Sequence, residues 1–158
     1  MNPLSPQPSN LTASDAIPGD RAASSITVPG PAFRPGTRIV VAEDDRVSQA
    51  VLTMILQKFG LDVHLACDGV RALELIREVE PALVMMDMQM PLMDGAEVIR
   101  VLRNDVTAPQ PPVVVLSGNL LSQAQMDDLH ALGVLDFLLK PVNRGRLHGV
   151  LSQVLPLA

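Results

Sequence analysis

Short apolar runs alternate along this chain with segments of helical period, and each run closes on polar residues. That alternation constrains the fold more than any other feature. Arg38–Ala42 reads RIVVA and is followed by Glu43-Asp44-Asp45. Leu83–Met86 is followed by Asp87, Val113–Leu116 by Ser117, and Phe137–Leu139 by Lys140-Pro141. Asp62–Ala66 is a weaker fifth strand. Between them lie five helical patterns. Val47, Val51, Met54 and Ile55 share one face of a helix ending near Gly60. Gly69–Glu78 carries Leu73 and Ile76 and is stopped by Pro81; Ala96–Asn104 carries Val98, Ile99 and Leu102. Ser122–Leu132 carries Met126 and Leu129 and is closed by Gly133. Asn143 is placed to cap a last helix with Leu147, Val150, Leu151 and Val154, which Gly145 and Gly149 weaken by about 1 kcal/mol each. Five strands alternating with five helices predict an α/β domain with a parallel sheet, its solid apolar strands buried on both faces.

The first 36 residues differ in kind. They hold seven of the fourteen prolines, two acids and two arginines, and Ser, Ala, Thr and Gly fill most of the rest. Such a segment buries too little apolar surface to offset its ordering entropy. Residues 1–36 are therefore expected to be a tail or linker, and 37–158 one folded domain. The net charge of −5 then falls on the folded part. It argues against nucleic-acid binding through a basic face. The absence of Trp and Tyr removes the usual stacking platforms. A single cysteine, Cys67, excludes an internal disulfide framework and is expected to be a small buried or half-buried residue. The longest apolar run, Ala82–Met86, is far short of a membrane span, and the N-terminus lacks a signal-peptide pattern. A soluble cytoplasmic protein is expected.

The chemistry collects at the strand ends. In open parallel sheets, ligands bind beyond the carboxyl ends of the strands, where strand order reverses. With the first and third strands as neighbours, Asp44, Asp45 and Asp87 converge. Two carboxylates about 4 Å apart repel by roughly 4 kcal/mol at an effective dielectric of 20. Three together call for a counter-ion, and hard oxygen ligands favour Mg²⁺. Each residue alone has a plainer reading: an acidic pair at a strand end commonly caps the next helix, and Phe137 serves equally as core. The methionines Met85, Met86, Met88, Met90 and Met93 read as packing. His64, His130 and His148 show no ligand spacing.

Taken in order, Glu-Asp-Asp after the first strand, MMDMQMPLMDG around Asp87, LSG at Ser117 and FLLKP at Lys140 resemble the receiver domain of two-component response regulators. The resemblance covers about Arg38 to Leu155. It implies a flavodoxin-like, doubly wound five-stranded parallel sheet of order 2-1-3-4-5 with five helices. It implies Asp87 as phosphoacceptor, with Mg²⁺ held by Asp45 and Asp87, by Asp44 through water, and by the backbone carbonyl of Gln89. Ser117 and Lys140 would contact the phosphoryl oxygens. Phe137 would turn inward as Ser117 moves, and the Lys140–Pro141 peptide would be cis. Gly118 stands where Ala is frequent and is expected to leave more access to Asp87; Gln89 and Asn119 occupy positions that help set acyl-phosphate lifetime. The implied phosphodonor is a sensor histidine kinase or a histidine phosphotransfer protein, with no nucleic acid and no membrane insertion. The output surface would involve Gln125, Asp128, Phe137, Arg144 and Arg146. No ATP-binding motif is present, so the chain reads as a phosphoacceptor, not an enzyme with turnover on others. Two alternatives remain at this point. One is a pseudo-receiver that binds partners without phosphorylation. The other is an aspartate-nucleophile phosphatase, although Asp87-Met88-Gln89 lacks that family's Asp-x-Asp and lies on the third strand.

Overall fold

The structure, a computed structural model, describes residues 33–158. Five strands alternate with five helices: β1 (Arg38–Ala42), α1 (Arg46–Lys58), β2 (Asp62–Ala66), α2 (Gly69–Val79), β3 (Leu83–Asp87), α3 (Gly95–Asn104), β4 (Val113–Ser117), α4 (Gln123–Ala131), β5 (Val134–Leu139) and α5 (Arg144–Leu151). All pairings are parallel, in the order β2-β1-β3-β4-β5. The expected flavodoxin-like topology is the observed one.

Side-chain alternation explains the two cores. Val40, Ala42, Val84, Met86, Val113 and Val115 face one way, against α2, α3 and Leu129 of α4. Ile39, Val41, Leu83, Met85, Val114 and Leu116 face the other, against Leu52 and Leu56 of α1 and Leu147, Val150 and Leu151 of α5. Strands β3 and β4 are buried along their whole length, which is why they read as solid apolar runs. The edge strands β2 and β5 are only partly buried and read more weakly. Strand β5 begins three residues earlier than its apolar run suggested, and it takes up an extra residue opposite Val113/Val114. Each helix starts on a side-chain cap: Asp45, Asp68, Asp94, Ser122 and Asn143 accept a backbone N–H three residues on.

Two sequence expectations change. Of the α1 residues expected to face inward, Val47, Val51 and Met54 are exposed, at 72%, 44% and 52%; Ile55 is half-buried against the core, and the helix packs chiefly through Leu52 and Leu56. Leu52 and Leu56 lie one position beyond Val51 and Ile55, and period alone does not choose between the two overlapping faces. Cys67 is exposed rather than buried.

The folded body also begins before residue 37. Phe33 is fully buried against Phe59 and His148, with ring centroids 5.8 and 5.4 Å away. It bridges antiparallel to Leu157, and Phe33 N–H donates to Phe59 O. Arg34 N–H donates to Pro156 O at 2.9 Å, and Gly36 N–H to Gly60 O at 3.1 Å. Residues 33–36 thus strap the C-terminal end of the domain to the α1–β2 turn. The rest of the expected tail lies outside the described residues. Among the described residues, no helix is long and apolar enough to cross a membrane.

Candidate functional site

Strand register assembles the site. Ala42 pairs with Met86, so the next residues, Glu43 and Asp87, emerge side by side. Asp87 pairs with Leu116, and Ser117 with Leu139. Lys140 N–H then donates to Ser117 O at 2.8 Å, which brings the lysine to the same edge. The Lys140–Pro141 peptide is cis, as expected. Its ammonium reaches across two strands to Glu43 Oε2 at 2.8 Å and Asp87 Oδ2 at 3.0 Å.

The acidic group is Glu43, Asp44 and Asp87, each offering an oxygen within 4.8 Å of the others. Glu43 and Asp87 are almost wholly buried, at 0% and 3% exposure, whereas Asp44 is open to solvent. Asp45, expected as a direct metal ligand, is elsewhere employed. Its carboxylate caps α1, accepting Ser48 N–H at 2.8 Å. That backbone bond, with help from the Ser48 side chain, holds its pKa below the ordinary range. The carboxylates that converge are therefore Glu43, Asp44 and Asp87, one residue back from the expected Asp44, Asp45 and Asp87. The sequence did carry a signal. Asp directly ahead of a helical run is a preferred N-cap residue, and here one Asp45 oxygen is taken up by the cap.

The electrostatics follow from burial and partners. Burial pushes the Glu43 carboxyl up; the bond from Lys140 opposes this and Asp87 reinforces it. Burial alone would lower the Lys140 ammonium, but the bonds to Glu43 and Asp87 outweigh it and raise the pKa. Three carboxylates face one ammonium, so a divalent cation would balance the group. The donors are hard oxygens with Asp44 open to water, a set that fits Mg²⁺.

Asp87 is fixed from both oxygens: Oδ2 by Lys140, and Oδ1 by Gln89 N–H at 3.1 Å. Behind it, Gly95 opens α3 and donates its N–H to Met88 O at 3.2 Å. A Cβ on Gly95 would stand 2.3 Å from Asp87 O, so glycine lets α3 start directly against the strand end. Gly118, by contrast, borders open space.

Ser117 is 8% exposed, and its hydroxyl donates to Asn119 O at 2.6 Å. Phe137 is half-buried and shares a cavity of about 180 Å³ with Ser117, Asn119, Leu121 and Met126. Of the expected output residues, Gln125, Asp128, Arg144 and Arg146 are exposed, and Arg146 pairs with Asp136 at 3.3 Å.

Comparison with known proteins agrees with this geometry. The family model described as response regulator receiver domain matches residues 39–152. The chain is 32% identical over 123 residues to transcription factor SKN7 of Saccharomyces cerevisiae, covering 78% of this chain but 19% of that protein. It is 37% identical over 107 residues to the regulator of RpoS of Escherichia coli, covering 68% of this chain and 31% of that protein. The chain thus spans less than a third of the length of these relatives. Among solved structures, it resembles the receiver domain of the sensor histidine kinase PA1611 of Pseudomonas aeruginosa, which holds a magnesium ion in its active site cleft. That match has a TM-score of 0.67 at 29% identity and covers 75% of this chain and 97% of the other.

Proposed function

This chain belongs to the response regulator receiver domain family, and on that premise we propose that Asp87 accepts a phosphoryl group from a phosphohistidine, with Mg²⁺ bound beside it. The observation that carries this reading is the buried Asp87 carboxylate, held between the Lys140 ammonium and the Gln89 N–H and flanked by Glu43 and Asp44. An Asp87 oxygen attacks phosphorus, a P–O bond forms, and the P–N bond to the donor imidazole breaks. The bond's electron pair goes to that nitrogen while the other ring nitrogen keeps a proton, so the products are an acyl phosphate and a neutral histidine on the donor. The transition state is loose and metaphosphate-like, so it needs positioning and positive charge more than covalent assistance. Lys140 supplies a point charge already aimed at Asp87. Glu43, Asp44, Asp87 and the Gln89 carbonyl would hold the Mg²⁺, and when bound the ion neutralises the carboxylates and the charge on the transferring oxygens. Ser117 would turn from Asn119 O toward the phosphoryl group. The donor is a sensor histidine kinase or a histidine phosphotransfer protein. The protein acts by switching an interaction surface and does not turn over a substrate of its own.

Titration with beryllofluoride and Mg²⁺, followed by amide NMR, tests this. Shifts should centre on Asp87, Ser117 and Lys140, require both components, and vanish in Asp87→Ala. Mg²⁺-independent or absent shifts would favour a receiver-like module that works without phosphorylation.

A further inference from the structure

The loop after Asp87 carries two groups that the site uses. Gln89 N–H donates to Asp87 Oδ1 at 3.1 Å, and the Gln89 carbonyl is the proposed backbone ligand for Mg²⁺. None of the loop residues 88–94 is fully buried: Met88, Met90 and Met93 are half-buried, and Leu92 is open to solvent. Against this loop stands Gly69, the first residue of α2. A Cβ on Gly69 would lie 2.5 Å from Met93 O, 2.8 Å from Met93 Cβ and 2.7 Å from Val98 Cγ2 of α3. The φ of Gly69 is outside the left-handed region, so its conformation does not call for glycine. Alanine would also make the better helix residue. What the missing side chain provides is the close approach to Met93.

Burial decides which side yields to a methyl group. Helix α2 is pinned: Asp68 caps it by accepting Arg71 N–H at 2.8 Å, and Ala72, Leu73, Leu75, Ile76 and Val79 are buried. The helix is therefore the fixed wall, and the loop is the part that gives. Moving Met93 O from 2.5 Å out to an ordinary contact of 3.4 Å displaces it by about 0.9 Å. Mg²⁺ demands near-ideal octahedral geometry, and a site needs its ligands held within about 0.5 Å. We propose that Gly69 is a positioning residue for the phosphoacceptor site: the start of α2 seats the loop at Met93, and through the loop it sets the Gln89 backbone. This deepens the phosphoacceptor reading and rests on it for the role of the Gln89 carbonyl.

The test compares wild type, Gly69→Ala and Val79→Ala. Val79 is buried at the far end of α2, about 15 Å along the helix from Gly69, so its truncation lowers stability without reaching the loop. Amide NMR without metal, Mg²⁺ affinity by NMR titration and the melting temperature are read for each. Gly69→Ala should move the Met93 and Gln89 amides in the metal-free protein and weaken Mg²⁺ binding about ten- to hundred-fold. Val79→Ala should lower the melting temperature and leave the Gln89 amide and Mg²⁺ affinity as in wild type. Should Gly69→Ala alone fail to fold, the same change is made in Leu92→Gly, which relieves the loop residue at φ of +68°, and is compared with Leu92→Gly itself. If wild type binds Mg²⁺ and Gly69→Ala matches it in affinity and in the Gln89 amide, the positioning role is refuted. An equal loss of Mg²⁺ in Val79→Ala refutes it as well. If wild type binds no Mg²⁺, the metal-dependent phosphoacceptor reading fails, and the metal-free Gln89 amide still decides whether Gly69 seats the loop.

Discussion

Replacing Glu43 with Gln separates what the site costs from what it does. The change keeps the shape of a side chain that is fully buried and removes its charge. Glu43 lies within 4.8 Å of both Asp44 and Asp87. At an effective dielectric near 20, each such pair repels by about 3 kcal/mol or more. Lys140 at 2.8 Å returns about 6 kcal/mol on the same scale. The pairwise effects nearly cancel, which leaves the cost of burying a carboxylate to decide, and burial is the main cause of the raised Glu43 pKa. Without divalent cations at pH 7, Glu43→Gln should therefore be more stable than wild type, by about 1 kcal/mol, or roughly 3 °C in melting temperature. The pH dependence has a definite sign. A raised folded-state pKa means that the folded protein binds this proton more tightly than the unfolded chain does. The penalty is absent below the ordinary Glu range and develops as pH climbs through the raised folded value. The two proteins should converge in acid and diverge toward neutrality. Mg²⁺ affinity should fall in the opposite sense, about ten- to hundred-fold. Asp45→Asn is the control: Asn caps a helix as well as Asp, so stability and Mg²⁺ affinity should both stay close to wild type. Chemical denaturation in EDTA and Mg²⁺ titration by NMR read both effects. A Glu43→Gln protein that is markedly less stable in EDTA, or an Asp45→Asn protein that alone loses Mg²⁺, would refute the assignment of the cluster.

Further outcomes follow from the packing. Phe33→Ala should cost about 3–5 kcal/mol and lower the melting temperature by more than about 10 °C, because the ring is fully buried between Phe59 and His148; an unchanged melt would show residues 33–36 to be dispensable. Gly95→Ala should destabilise by about 1–3 kcal/mol and perturb the Asp87 amide in NMR spectra, since the new methyl meets Asp87 O. Leu92 holds φ of +68°, so Leu92→Gly should gain about 0.5–1 kcal/mol in urea denaturation.

The fold was legible because burial on both faces leaves solid apolar strands, and β1, β3 and β4 have them. Asp87 and Ser117 were legible because each is a polar stop on such a strand, and Lys140 because it closes the shorter apolar run of β5. What escaped depended on contacts that sequence order hides. Glu43 and Asp45 are both acids at one strand end; the preference for Asp as a helix cap hints at which is withdrawn, and the bond to Ser48 shows it. Phe33 is a lone aromatic in a proline-rich stretch, and its partners come from α1 and α5.

The central claim is that Asp87 is the phosphoacceptor, and intact-mass spectrometry after incubation with acetyl phosphate and Mg²⁺ tests it most directly. The account predicts a gain of one phosphoryl group that requires Mg²⁺, is lost in Asp87→Ala and persists in Asp45→Asn. An unmodified wild-type protein, or a gain that survives Asp87→Ala, would contradict it.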